Sequence, residues 1–191
     1  MIDLAQCEAI FQDALIVAQS LFGARDTSWT ILPCGVNNER APYMTYCGSK
    51  RMRVFIPIDR IPCVGSARQA IGHEAIHAIG PGPEYVKNYT SVLEEGIACI
   101  FGHSFGVLRR AKGYSRASGD GSYEAATATA VELLAIDPAA IEKLRARCTA
   151  FGVWSPELLR MVVPSIPDEL VGRLLAPFDR GYVASDGFGK H

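Results

Sequence analysis

No stretch of this chain is apolar for long enough to cross a bilayer, which takes about 20 residues. The most apolar later run, Gly96 to Leu108, is much shorter and contains His103. No Cys-x-x-Cys pair occurs among the six cysteines (Cys7, Cys34, Cys47, Cys63, Cys99, Cys148). That argues against a zinc ribbon, and a dense disulfide scaffold would be unusual at this size. Reduced, mostly buried thiols are the expectation, with a Cys34–Cys47 bridge only if the protein is exported. Neither sign of charge dominates: 19 basic and 20 acidic residues leave a net charge of −1. The densest basic cluster, "RRAK" at Arg109 to Lys112, reads as a solvated helix end that complements the helix dipole. The sequence therefore lacks the electrostatic footprint of a nucleic-acid binder. The first residues, "MIDLAQCEAIFQDALIVAQSLFG", have no basic n-region and carry acids inside the apolar stretch. They read as an amphipathic helix rather than a signal peptide. A soluble cytoplasmic protein with no membrane or nucleic-acid partner is expected, although leaderless export would be compatible with the same features.

What is present is one domain's worth of chain, 191 residues with 49% hydrophobic composition, enough for a substantial core. "TSWTILP" (Thr27 to Pro33) reads as a short strand. "PYMTYC" and "RMRVFIPI", separated by Gly48, Ser49 and Lys50, read as a hairpin. Pro57 near the end of the second run suits an edge strand. Ser66 is a candidate N-cap for a helix from Ala67 to about Ile79, which Gly80 and the following prolines end. Later segments all read helical. One is capped by Thr90 or Ser91 and runs to about Arg110, with Ser91 and Glu94 in capping-box spacing. Others span about Tyr123 to Ile136, Asp137 to Ala150, the segment after Ser155-Pro156, and about Asp168 to Leu175. The expected fold class is α+β. Residues 1–80 form an α/β lobe with a small mixed sheet, 81–180 a helical lobe, and 181–191 a flexible tail. The helix at the junction holds the chemistry.

That helix contains "HEAIH", two of only four histidines in the chain. Helical positions i and i+4 share a face with Cβ atoms ~6 Å apart. His73 and His77 can thus each place a ring nitrogen about 2.0–2.1 Å from one zinc ion. Glu74 lies about 100° further round the helix, off the metal axis, where it could take a proton from a metal-activated water. Ala70, Ile71, Gly72, Ala75, Ile76, Ala78 and Ile79 around the motif are uncharged, as a buried active-site helix requires.

At these residues the chain resembles the zincin metallopeptidases. "HEAIHAIGPGP" matches the metzincin pattern H-E-x-x-H-x-x-G-x-x-H up to Gly80, but Pro83 stands where the third histidine should be and cannot bind zinc. The gluzincin branch instead draws its third ligand from a glutamate on a following helix. "VLEEGIACIFG" offers Glu94 and Glu95. Helical periodicity sets Glu94 nearer the apolar face of Leu93, Ile97, Ile100, Phe101 and Leu108, whereas Glu95, Cys99 and His103 form a second stripe at four-residue steps. "EEGIACIFG" resembles the thermolysin-like N-E-A-x-x-D-I-F-G, and "EGIA" the E-G-x-A of minigluzincins. Both resemblances imply Glu95 as the zinc ligand. The thermolysin-like aspartate that orients the first zinc histidine is replaced by Cys99, so either another group fixes the His73 tautomer or the site is weaker than the family's. The resemblance covers about residues 66 to 105.

It implies a zinc-dependent peptidase acting on a protein or peptide, with His73, His77 and Glu95 as ligands and Glu74 as general base. His103, Tyr114 and Tyr123 are candidate donors to the oxyanion. The strand around Arg53 to Ile56 resembles in position the one that pairs with an extended substrate. A non-catalytic zincin-like domain, binding zinc structurally and docking a partner, is the alternative.

Overall fold

The computed structural model describes residues 2–39, 41–82, 90–107 and 121–179. Over these the chain is mixed α+β. No helix among the described residues is long and apolar enough to cross a membrane. The features expected at Pro83, Arg110 and Tyr114 and in the 181–191 tail lie outside the described residues.

The first helix, α1 (Leu4–Phe22), starts on a reciprocal cap: the Asp3 carboxylate accepts the Gln6 N–H at 2.7 Å, and the Gln6 side chain accepts the Asp3 N–H at 3.0 Å. Both donors would otherwise be orphaned by the helix start. Its buried stripe, Cys7, Ile10, Phe11, Ala14, Leu15 and Ala18, recurs every three to four residues. Four strands follow: β1 (Thr30–Ile31), β2 (Gly35–Val36), β3 (Tyr43–Tyr46) and β4 (Arg51–Ile56). The β3–β4 hairpin turns through Gly48, Ser49 and Lys50, all at positive φ.

The sheet corrects one expectation. The "RMRVFIPI" strand, β4, is central rather than an edge. β1 and β2 pair with it in parallel, and β3 pairs with it antiparallel. The β4 carbonyls of Met52 and Ile56 accept from the β1–β2 side. Arg51 O accepts from Cys47 just beyond β3. β1 and β2 therefore share one side of β4 and leave β3 as the outer strand. Pro57 is tolerated because it follows the last paired residue, where its missing N–H removes nothing from the ladder. The β4 side chains alternate, with Met52, Val54 and Ile56 buried.

After the sheet comes α2 (Val64–Ile79), which starts three residues earlier than Ser66 suggested. The extended residue Cys63 is its cap, and the Cys63 carbonyl accepts from Ala67 N at 3.0 Å. α3 (Val92–Val107) is capped by Ser91, whose hydroxyl accepts the Glu94 N–H at 3.2 Å. α4 (Gly121–Ile136), α5 (Ala140–Arg147), α6 (Pro156–Val162) and α7 (Asp168–Leu175) complete the described helices. α5 is shorter than the Asp137 to Ala150 expected, and the Asp137 carboxylate instead takes the Ala139 N–H in a turn before it. Buried side chains from both sides of residue 80 join one continuous core, from Phe11 and Ile56 to Leu133 and Leu174.

α2 and α3 form the closest helix pair, running in opposite directions. Gln69 lies against Gly106, His73 against Gly102, and His77 against Glu94. A Cβ on Gly102 would sit 2.6 Å from the Gln69 carbonyl oxygen and 3.1 Å from the His73 nitrogen; one on Gly106 would sit 3.1 Å from the Gln69 Cβ. The glycines let the two backbones approach closely. On the other face of α3, a Cβ on Gly96 would strike the Ala126 carbonyl of α4.

Gly102→Ala forces backbone against backbone, where no side-chain rotation gives relief. It is expected to cost roughly 1–3 kcal/mol of stability by overpacking, read as a lower denaturant midpoint. An unchanged midpoint would show that the interface has more slack than these distances allow.

Candidate metal centre

The antiparallel α2–α3 pair brings five titratable side chains into one buried cluster: His73, Glu74 and His77 from α2, Glu94 and Glu95 from α3. Glu74, His77, Glu94 and Glu95 are each at most 8% exposed. His73 and Cys99 are half-buried and mark the more open side.

Three groups converge. His73 Nε2 and His77 Nε2 face each other at 3.2 Å. The Glu95 carboxylate reaches both, with Oε2 3.1 Å from His73 Nε2 and Oε1 3.6 Å from His77 Nε2. Ligand atoms held tetrahedrally at 2.0–2.1 Å from a zinc ion are ~3.3–3.4 Å apart, so all three separations bracket that edge length. Glu95 Oε2 is buried and has no hydrogen-bond partner although a ring nitrogen is 3.1 Å away. An unpaired buried carboxylate oxygen is costly, and a cation at the point of convergence would satisfy it.

The outer nitrogens are also accounted for. His77 Nδ1 and Glu94 Oε1 are 2.8 Å apart, so Glu94 backs His77 while its neighbour Glu95 faces the front. The two candidate glutamates thus serve opposite edges of the same ring. Cys99 Sγ lies 3.8 Å from His73 Nδ1. No other group stands behind His73 in the contacts described: Cys99 occupies that position, with a weak sulfur contact in place of the aspartate. His73, Glu95 and Cys99 also form a group whose ligand atoms lie within 4.8 Å of one another and could hold a metal ion. Within it, Cys99 is nearest the back nitrogen of His73, and Glu95 is nearest the front one.

Glu74 is buried next to this centre, and the Met44 backbone N–H on β3 hydrogen-bonds to it. That N–H belongs to a residue in a non-hydrogen-bonded pair with Val54, so it points away from β4 toward the helices. The other expected residues are divided. His103 is exposed on α3, two turns beyond Glu95, and stands outside the cluster. The Tyr123 ring on α4 lies edge-on to His73 with centroids 6.1 Å apart, and it packs on Phe178 at 5.0 Å. Glu94, Cys99 and Met44 had no role assigned by the sequence pattern in the roles they hold here. The Ser91–Glu94 capping spacing was the one local signal that Glu94 has a fixed orientation.

Burial is the largest single influence on each group, but the charges together outweigh it at His73, His77 and Glu95. It depresses both imidazoles, yet Cys99, Glu95 and Glu74 raise His73 well above its usual range. Glu95 and Glu94 raise His77 to about 9. Burial pushes the Glu74 and Glu94 carboxyls up. It acts on Glu95 in the same direction, but the two histidines hold that carboxyl below its usual range. The upward shifts of both histidines reflect the carboxylates around them, while the 3.2 Å contact between their Nε2 atoms has room for only one proton. A divalent ion bound to the two neutral rings would take the place of that proton. Comparison with family models, with curated proteins and with solved structures found no match to this chain.

The pH dependence has a definite sign. A histidine raised in the folded state contributes stability that is complete below its unfolded pKa and lost as pH rises through the folded one. Chelator-treated protein should therefore lose stability between the ordinary imidazole range, about 6.5, and about 9, the His77 value. Denaturation midpoints across that window check this. A midpoint that rises with pH would contradict the charge arrangement. Zinc binding at neutral pH should release protons, read by calorimetry in buffers of different ionisation enthalpy.

Proposed function

We propose that this protein is a zinc-dependent metallopeptidase of the gluzincin type that hydrolyses peptide bonds in a protein or peptide substrate. One observation carries the reading: two histidine nitrogens and a buried carboxylate, Glu95, converge at 3.1–3.6 Å, with a second buried carboxylate, Glu74, beside them. His73, His77 and Glu95 would hold the ion. A zinc ion so held supplies Lewis-acid polarisation of the scissile carbonyl and a water acidified toward ~7.

The chain's own residues do the rest. Glu74 takes the proton of the attacking water and passes it to the leaving amine. Its upward-shifted carboxyl, buried and held by the Met44 N–H, suits it to keep a proton between the two transfers. Glu94 accepts from His77 Nδ1, directing the Nε2 lone pair to the ion and strengthening it as a ligand. Cys99 does the same for His73 more weakly. Tyr123 is the phenol best placed to donate to the developing oxyanion, in the role expected of His103. Of the two hairpin strands, β3 rather than β4 lies at a sheet edge, where an extended peptide would pair with main-chain groups other than the Met44 N–H that Glu74 takes.

Glu95→Ala should remove zinc from the purified protein, while Glu94→Ala should retain it with affinity reduced about 10–100-fold, as for lost outer partners of metal-bound histidines. Metal content by mass spectrometry decides, and the reverse pattern would exchange the two roles. Glu74→Gln should keep zinc and lose peptide-library hydrolysis by roughly 10²–10⁴-fold, the usual worth of a general base. Zinc content without any Glu74-dependent hydrolysis would favour the non-catalytic, partner-docking alternative.

A further inference from the structure

One buried charge lies outside the metal cluster yet touches the helix that carries it. Arg145, on α5, is 2% exposed. Its guanidinium donates to four main-chain carbonyls: Phe22 O at 2.8 Å, Ala24 O at 2.7 Å, Thr149 O at 2.6 Å and Ile79 O at 3.1 Å. These come from the end of α1, the turn after it, the segment after α5 and the last residue of α2. The Phe151 ring lies against the guanidinium, 5.1 Å from centroid to Cζ. Burial lowers the Arg145 pKa to about 10, and an arginine at that value is still charged at neutral pH.

The arrangement clamps the C-terminal end of α2. Ile79 O also accepts from Asp26 N at 3.3 Å, and Gly80 O accepts from Phe151 N at 3.1 Å. A Cβ on Gly80 would strike the Arg145 guanidinium and would sit 2.5 Å from Phe151 and 2.6 Å from Thr149 O. The other half of α2 is fixed by its close contact with Gly102 and Gly106 of α3. His77 lies two residues before Ile79, wedged between Glu94 behind and the converging groups in front. A small rotation or shift of the α2 end would therefore change the His77 Nε2 position before it changed His73. The rigid fork of a guanidinium can meet several carbonyls at fixed angles, which the point charge of a lysine cannot.

We propose that Arg145 is a positioning residue for the metal site, setting the register of the α2 end and with it the placement of His77. The proposal rests on the zinc reading above. A residue that only stabilised the fold would lower the melting temperature and leave the zinc affinity of the folded protein unchanged. A positioning residue changes the site itself.

The test measures zinc affinity by chelator competition and the visible absorption of the cobalt-substituted protein. Both are applied to full-length wild type, Arg145→Met, Arg145→Lys and Phe151→Leu, alongside metal-free melting temperatures. The expected result for Arg145→Met is zinc binding at least ~10-fold weaker, within the range seen when groups that orient metal ligands are lost, with displaced cobalt bands. Arg145→Lys should fall between Met and wild type. Phe151→Leu should melt earlier but keep zinc affinity within about twofold, because the carbonyl hydrogen bonds remain. Wild-type affinity and cobalt bands in folded Arg145→Met would overturn the proposal. If that variant does not fold, the same result in Arg145→Lys overturns it equally. Wild type that binds neither zinc nor cobalt would instead overturn the zinc reading on which it rests.

Discussion

The close approach of α2 and α3 is the constraint on which the site depends. Gly102 and Gly106 remove the side chains that would hold the helices apart, so α3 lies directly along the backbone of α2 at Gln69 and His73. Because the helices are antiparallel, the glycines occupy one end of the contact and Glu94, Glu95 and Cys99 reach the histidines at the other. An alanine-sized separation would move the Glu95 carboxylate away from nitrogens that it now approaches within 3.1–3.6 Å. The chemistry is therefore positioned by the absence of atoms several residues away. The Ser91 cap then fixes where α3 begins, and the contact with His77 Nδ1 holds the Glu94 carboxylate.

The charges explain why this cluster could hold a cation. Glu74, Glu94 and Glu95 are all buried in one neighbourhood with two histidines. Left unneutralised, three carboxylates in a low-dielectric interior would be strongly destabilising. Both histidines are shifted upward by the same cause, the negative groups around them. Surroundings that favour a proton on imidazole also favour a cation at the point where the rings and Glu95 converge. The outer partners are unequal, a carboxylate behind His77 and a thiol behind His73. The His77 half is the more firmly oriented, and Arg145 anchors the same end of α2 to three other segments.

The sheet contributes in a different way. β4 is covered on both sides, so the strand that looks most like an edge in sequence is the centre of the sheet, with the shorter β3 on one side of it and β1 and β2 on the other. Antiparallel pairing turns alternate β3 amides away from β4, and that of Met44 reaches Glu74. The same geometry ties the buried Glu74 to the outer face of the hairpin.

Local sequence determined a good deal. His73, Glu74 and His77 on one apolar helix follow from four-residue spacing and their uncharged surroundings. The β3–β4 hairpin follows from its turn residues, and α7 from the Asp168 to Leu175 pattern, which the fold reproduces to the residue. What local sequence could not decide is anything that depends on which way an adjacent side chain faces across an interface. Glu94 and Glu95 are neighbours on one helix, about 100° apart. Only the rotation of α3 against α2 assigns one to the front of the histidines and the other to the back. The same holds for Cys99, which reads as a lost aspartate until the ring nitrogen beside it is seen, and for His103, whose four-residue stripe runs out into solvent. Arg145 carries no local signal at all, since its four carbonyls come from segments up to 123 residues away. Periodicity fixes which residues share a face, but only tertiary packing fixes what that face meets.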